Sequence, residues 1–127
     1  MDNKWNDKAI LEAVKKRILD NLEVAGKFVE DGAKLLVPVD TGNLRDSLTH
    51  KVYEDEFSCI IGTPVEYAPY IEFGTGEFAE SGQGRKGGWF YKDEKGNTHF
   101  TFGNKPHPFL RPALLENKET IKKILTL

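Results

Sequence analysis

Apolar residues recur through the first third of the chain at spacings of three and four: Leu11, Val14, Ile18, Leu22, Ala25, Val29, Ala33 and Leu36. That repeat keeps one face of a helix apolar throughout. The other face is charged, with Lys15, Lys16, Arg17, Asp20, Glu23, Lys27, Glu30 and Asp31. The pattern predicts one amphipathic helix from Asn6 to Leu36, about 45 Å long at 1.5 Å per residue. Two readings of its length stand side by side. Either the helix lies across its own sheet, or part of its apolar face overhangs and meets a neighbouring subunit. Gly26 and Gly32 weaken the helix interior by up to about 1 kcal/mol each, and they are candidate points of close approach by another backbone.

Pro38 ends this helix, because it has no donor and pushes the residue before it out of the α region. Asp40 and Thr41 are good N-caps for a short helical turn through Asn43–Ser47, and Gly42 lets the chain turn sharply. Leu44 and Leu48, four apart, would plug this turn into the core and leave Arg45 facing solvent or a partner. Thr49–Glu54 and the apolar run Phe57–Ile61 predict a hairpin turning through Glu54-Asp55-Glu56. After the break at Gly62-Thr63-Pro64, the cluster Tyr67, Tyr70, Ile71 and Phe73 predicts a short helix. Pro69 must fall in its first turn, and Gly74 stops it. The glycines from Gly74 to Gly88 predict a long mobile loop, roughly 75–88. Trp89–Phe102 reads as a second hairpin, turning at Lys95-Gly96-Asn97.

Pro106, Pro108 and Pro112 stiffen the entry to a final helix, with Pro112 suited to its first position. Leu114, Leu115, Lys118, Ile121, Lys122 and Leu125 carry the helical spacing. The order of elements predicts an α+β fold. The long N-terminal helix and the C-terminal helix would pack on a small antiparallel sheet of about four strands, as a single domain over 1–127.

Composition changes this picture little. The chain has 127 residues and a formal net charge of −2, which gives no basic footprint for tight nucleic-acid binding. The single cysteine, Cys59, excludes an intramolecular disulfide and reads as a small buried hydrophobe. No apolar run approaches the roughly 20 residues of a membrane span. The start, MDNKWNDKA, lacks the basic-then-apolar order of a secretion signal, so a cytoplasmic location is expected.

Candidate chemistry is sparse. His50, His99 and His107 have no metal-ligand spacing, and the carboxylates fall on the helix exterior and in turns. Ser47 lacks the Gly-x-Ser-x-Gly elbow, and GQGRKGG lacks the Gly-Lys-Ser/Thr ending of a phosphate loop. No catalytic residue, metal or cofactor is therefore expected. Basic and aromatic residues interleave through Arg85, Lys86, Trp89, Phe90, Tyr91 and Lys92. That stretch reads either as a hairpin docking on a neighbour, the favoured reading, or as a small nucleic-acid-binding module over 85–92. One further pairing is expected: Glu72 with either Arg45 or Arg111, across the base of the sheet.

Three segments carry a resemblance: VPVDTGNLRDSL (Val37–Leu48), EYAPYIEFGTG (Glu66–Gly76) and KPHPFLRPAL (Lys105–Leu114). Together they resemble the tail-completion or head–tail joining family of long-tailed double-stranded DNA phages. That family has a Pro-Val-Asp-Thr-Gly-x-Leu-Arg-x-Ser segment after a long first helix, a Tyr-Ala-x-Tyr-x-Glu-x-Gly-Thr segment, and a Pro-Phe-Leu-Arg-Pro-Ala segment opening the last helix. The likeness spans roughly Val37 to Leu115. It implies an architectural role for Pro38, Asp40, Thr41, Gly42, Leu44, Arg45, Ser47, Tyr67, Tyr70, Glu72, Gly74, Pro108, Phe109, Leu110, Arg111 and Pro112. It also implies a structural virion protein of the neck or tail, assembled in the host cytoplasm. Its partners would be copies of itself in a ring, sixfold by analogy with a tail tube, and neighbouring neck or tail proteins. DNA would at most pass through, without sequence-specific binding.

Overall fold

The computed structural model of the chain describes residues 4–38 and 42–127. Asp40 and Thr41, the expected caps, lie outside the described residues. Helix α1 runs Lys4–Leu36, 33 residues, and Pro38 follows its end as the sequence predicts. Helix α2 (Gly42–Ser47) leads into strand β1 (Thr49–Tyr53), which pairs antiparallel with β2 (Ser58–Gly62), Val52 opposite Cys59. Helix α3 (Ala68–Phe73) has Pro69 in its first turn and ends at Gly74, whose φ is 80°. A short 3-10 turn (Gly76–Phe78) precedes strands β3 (Trp89–Lys92) and β4 (Thr98–Thr101), paired with Phe90 opposite Phe100. Helices α4 (Leu110–Leu115) and α5 (Lys118–Leu125) close the chain.

The fold is α+β, and its four described strands form two separate two-stranded hairpins in place of one sheet. The β1–β2 hairpin lies against α1, as do α4 and α5, whereas β3–β4 packs chiefly on itself. The core sits under the C-terminal half of α1. Val29, Ala33 and Val37 meet Leu44 and Leu48 from the α2 turn, Ala68 from α3, and Phe109 and Ala113 around the start of α4. Phe109 and Leu44 are completely buried, so the first and third sequence segments meet in one plug. Burying a side chain of that size contributes about 1.5–3 kcal/mol.

Three local expectations need correction. Phe57 belongs to the turn, with φ 48°, and β2 begins one residue later. The last helix is broken in two. The Asn117 side-chain amide donates to the Ala113 carbonyl (2.9 Å), taking the acceptor that a continuing helix would use. Pro112 accordingly stands third in α4, not first. The glycine-rich loop is tied down near both ends. Thr75 N–H donates to Asn104 O and Glu77 N–H to Phe102 O, both at 2.9 Å, and Gly87 N–H reaches Glu77 Oε1 at 3.1 Å. At Gly76 (φ 61°) any Cβ would collide with the Phe102 carbonyl, so only glycine permits this crossing.

Gly26 does mark a close approach, but by side chains. A Cβ there would lie 2.5 Å from Cys59 Sγ and 2.8 Å from His50 Cδ2. At Gly32 the nearest atom, Ala113 Cβ, is at an ordinary 3.6 Å. The same substitution should therefore have opposite signs at the two sites. Gly32→Ala gains up to about 1 kcal/mol of helix propensity. Gly26→Ala gains the same but forces the hairpin off α1, with a loss of about 1–3 kcal/mol from overpacking. Urea unfolding midpoints should rise for the first and fall for the second.

Candidate functional site

Glu72 is the most constrained charged side chain among the described residues, only 4% exposed although it lies on the short helix α3. A carboxylate buried that deeply must find donors. Its Oε1 accepts the backbone N–H groups of Phe109 (3.2 Å) and Leu110 (2.8 Å), the first free donors at the start of α4. Its Oε2 accepts from Arg111 Nε at 3.0 Å. Arg111 then donates to the Glu72 carbonyl (2.9 Å) and grips Glu80 end-on at 2.8 and 3.1 Å. Its guanidinium also sits 4.5 Å from the centroid of the Phe73 ring. The two carboxylates, Glu80 first and Glu72 second, hold Arg111 still more firmly in its charged form. Glu80 in turn is pushed below the ordinary carboxylate range by Arg111.

This clamp brings the second and third sequence segments together. Of the two arginines considered for Glu72, Arg111 reaches it. Arg45 stands at the surface beside Asp46 at 3.4 Å. The first segment joins through packing, and Ser47 Oγ meets Thr63 Oγ1 at 2.6 Å while donating to Leu44 O. Gly42 begins α2 with open space around it. Tyr67 and Tyr70 remain outside, 40% and 61% exposed. Pro108 and Pro112 flank Phe109–Arg111, both half-buried. Beside the clamp opens an apolar cleft of about 420 Å³, lined by Val65, Pro69, Phe73, Phe109 and Leu110.

A second buried charge escaped the sequence reading. By its sequence pattern Glu30 belongs to the charged face of α1, yet it is only 6% exposed. It accepts from Lys27 (3.3 Å) and Lys34 (3.2 Å) and bonds His50 Nδ1 of β1 at 3.0 Å. His50 Nε2 bonds Glu23, so this imidazole bridges two carboxylates of α1. The signal was available in outline, because Glu30 follows the apolar residue Val29 and lies one turn after Gly26. Burial pushes the Glu30 carboxyl up, but bonds from His50, Lys34 and Lys27 outweigh it and hold its pKa at about 2. His50 is raised above 6.5, first by its bond to Glu23, against the opposing effect of burial. Burial also raises the Cys59 thiol, as suits a structural cysteine. Among the described residues no group of three His, Cys, Asp or Glu side chains is placed to hold a metal ion. None of the described helices is long and apolar enough to cross a membrane.

The basic–aromatic segment is arranged as a projecting hairpin. Arg85 lies over the Trp89 ring, 5.4 Å from its centroid, so those two are engaged with each other. Phe90 is 72% exposed and stands on the opposite face from Tyr91, which stacks on His99. Asp93 closes the turn, accepting the Lys95 and Asn97 amides and bonding His99. His99 first, then those amides, hold its carboxyl low.

A family model described as "Bacteriophage HK97-gp10, putative tail-component" matches residues 7–74, just over half of the chain. The chain belongs to this family of phage tail components. The matched stretch runs from α1 through α3 and includes Glu72, whereas Arg111 and the β3–β4 hairpin lie beyond it. No curated protein matches the chain, and neither does any solved structure.

Two predictions follow from the buried charges. Glu72→Ala strands two amide donors and should lower unfolding free energy by about 2–4 kcal/mol, whereas Glu72→Gln, which can still accept from them, should lose less. Equal stability of all three proteins in urea would refute the clamp. For pH, Glu30 stabilises above its unfolded value of about 4.5, and that contribution is lost as pH falls toward 2. His50 stabilises below about 6.5, and its contribution is lost as pH rises through its elevated folded value. The Tm difference between wild type and His50→Asn should therefore be greatest between about pH 4.5 and 6.5 and shrink above that window, and the difference for Glu30→Gln should shrink below it.

Proposed function

We propose that this chain is a non-catalytic structural part of the virion. It joins or completes the tail at the head–tail junction by assembling as a closed ring of identical copies. The coarser half of this reading, a phage tail component, follows from the family. The ring rests on one observation, the uncovered apolar surface at two separate places. On α1, Ile10, Leu11 and Val14 are 62%, 52% and 38% exposed. On the hairpin, Phe90, Phe100 and Phe102 are 72%, 48% and 50% exposed. Clustered apolar exposure of this kind marks a contact surface. Exposed patches at separate places on one chain allow head-to-tail contacts, and such contacts close into rings when the rotation allows.

In this reading the whole chain, 1–127, acts as one unit, located in the virion neck or tail and assembled in the host cytoplasm. Its partners are its own copies and the neck or tail proteins above and below. Sixfold symmetry follows by analogy with a tail tube. A net charge of −2 suits a channel through which DNA slides without being held. The Glu72–Arg111 clamp, Leu44, Phe109 and the flanking prolines give the building block its shape, and Arg45, Tyr67 and Tyr70 supply exposed rim positions. A nucleic-acid module over 85–92 gains no support from this hairpin, since Trp89 is half-buried and already stacked against Arg85.

Sedimentation velocity on the wild type and on the combined variant Ile10→Ser, Leu11→Ser, Val14→Ser tests the proposal. The wild type should form one discrete oligomer and the variant should fall apart while keeping its helical circular dichroism. Phage lacking the chain should yield separate heads and tails. Monomers throughout, with normally joined particles in the chain's absence, would refute it.

A further inference from the structure

The β3–β4 hairpin packs chiefly on itself, and one of its faces leaves Phe90, Phe100 and Phe102 exposed. Phe90 and Phe100 lie directly opposite each other with ring centroids 5.0 Å apart, and Phe102 extends the row at 5.1 Å from Phe100. The segment that leads into this face, Arg85–Lys92, holds three cations and no carboxylate. Among the described residues, Lys86 and Lys92 have no ion-pair partner. A two-stranded hairpin with an exposed aromatic face is marginal in water and calls for a cover.

The same chain carries a matching surface. The tip of the β1–β2 hairpin is Glu54-Asp55-Glu56-Phe57, three consecutive carboxylates and an aromatic ring 43% exposed. None of the three carboxylates has a side-chain partner among the described residues. Phe57 itself is held in a left-handed conformation, its N–H donating to Glu54 O at 3.3 Å. The other uncovered surface, the first half of α1, is a poorer match. Residues 4–20 carry five cations against three carboxylates, so it would repel a basic hairpin.

We propose that the aromatic face of β3–β4 is covered by the β1–β2 tip of the next copy. The Phe57 ring packs among Phe90, Phe100 and Phe102, and Glu54, Asp55 and Glu56 neutralise Arg85, Lys86 and Lys92. This deepens the ring reading and rests on it. The contact is heterologous, one hairpin on the other, and therefore propagates from copy to copy. Its charge complementarity fixes orientation and makes assembly sensitive to salt.

Charge reversal and swap on the full chain test the pairing, with association measured by sedimentation velocity. Glu54→Lys, Asp55→Lys, Glu56→Lys should weaken self-association at least about tenfold, as should Arg85→Glu, Lys86→Glu, Lys92→Glu. The chain carrying all six changes should return to within about threefold of the wild type, because the pairing is restored with its signs exchanged. Wild-type association should also weaken between about 0.05 M and about 0.5 M NaCl. Phe57→Gly, which suits the positive φ, should weaken association while leaving Tm unchanged or higher, and it decides the matter if a reversal variant misfolds. If the wild type assembles but neither reversal nor Phe57→Gly alters it, this pairing is wrong and the ring reading stands on another interface. The same result would follow if the tip engages a different virion protein. If the wild type never associates, both fall.

Discussion

Everything in the C-terminal half of this fold depends on where the Glu72 carboxylate finds its hydrogen bonds. A charge buried on a six-residue helix is tolerable only if its lone pairs are filled. Two come from the amides that open α4, and the third donor is Arg111 from the same turn. Once those bonds form, Phe109 is delivered between α1 and α2, and Ala113 reaches α1 behind it. Arg111 then draws Glu80 in from the glycine-rich segment. One carboxylate thus fixes the position of a helix start, a core plug and a loop.

Much of this was legible in the sequence where the signal is local. The three-and-four spacing located α1, Pro38 its end, Pro69 and Gly74 the bounds of α3, and Leu44 and Leu48 the inner face of α2. Glu72 stood out only because it and Arg111 fall in two of the segments that carry the family resemblance. Two rules of local reading failed together at Glu30. A charge next to other charges reads as solvent-facing, and its neutralising partner, His50, comes from a strand 20 residues away. Both hairpins were legible, but they stay apart where one sheet of about four strands was expected, because pairing between distant segments leaves no local mark. The tied-down loop was hidden for a related reason. Gly76 and Gly103 permit each other's approach, and neither announces that alone. Asn117 breaks the last helix through a side-chain bond that competes with the backbone, a choice that helical periodicity does not register.

The family match and the uncovered surfaces divide the molecule in an informative way. The matched residues, 7–74, hold the α1 scaffold, the β1–β2 hairpin and the Glu72 end of the clamp. The aromatic hairpin and Arg111 lie outside that stretch. In the proposed assembly the matched scaffold supplies the shape and one side of the contact, the β1–β2 tip, and the hairpin beyond it supplies the other side. Such a division suits a building block, since rigidity in the body lowers the entropy lost when copies lock together.

Native-state amide hydrogen exchange tests the central constraint most directly. The amides of Phe109 and Leu110 precede any intrahelical partner, so at an ordinary helix start they would exchange rapidly. If the Glu72 carboxylate holds them, they should exchange as slowly as the amides of Val29 and Ala33 in the core of α1, and Glu72→Ala should release both. Exchange of these two amides at the rate of exposed loop residues in the wild-type chain would contradict the account.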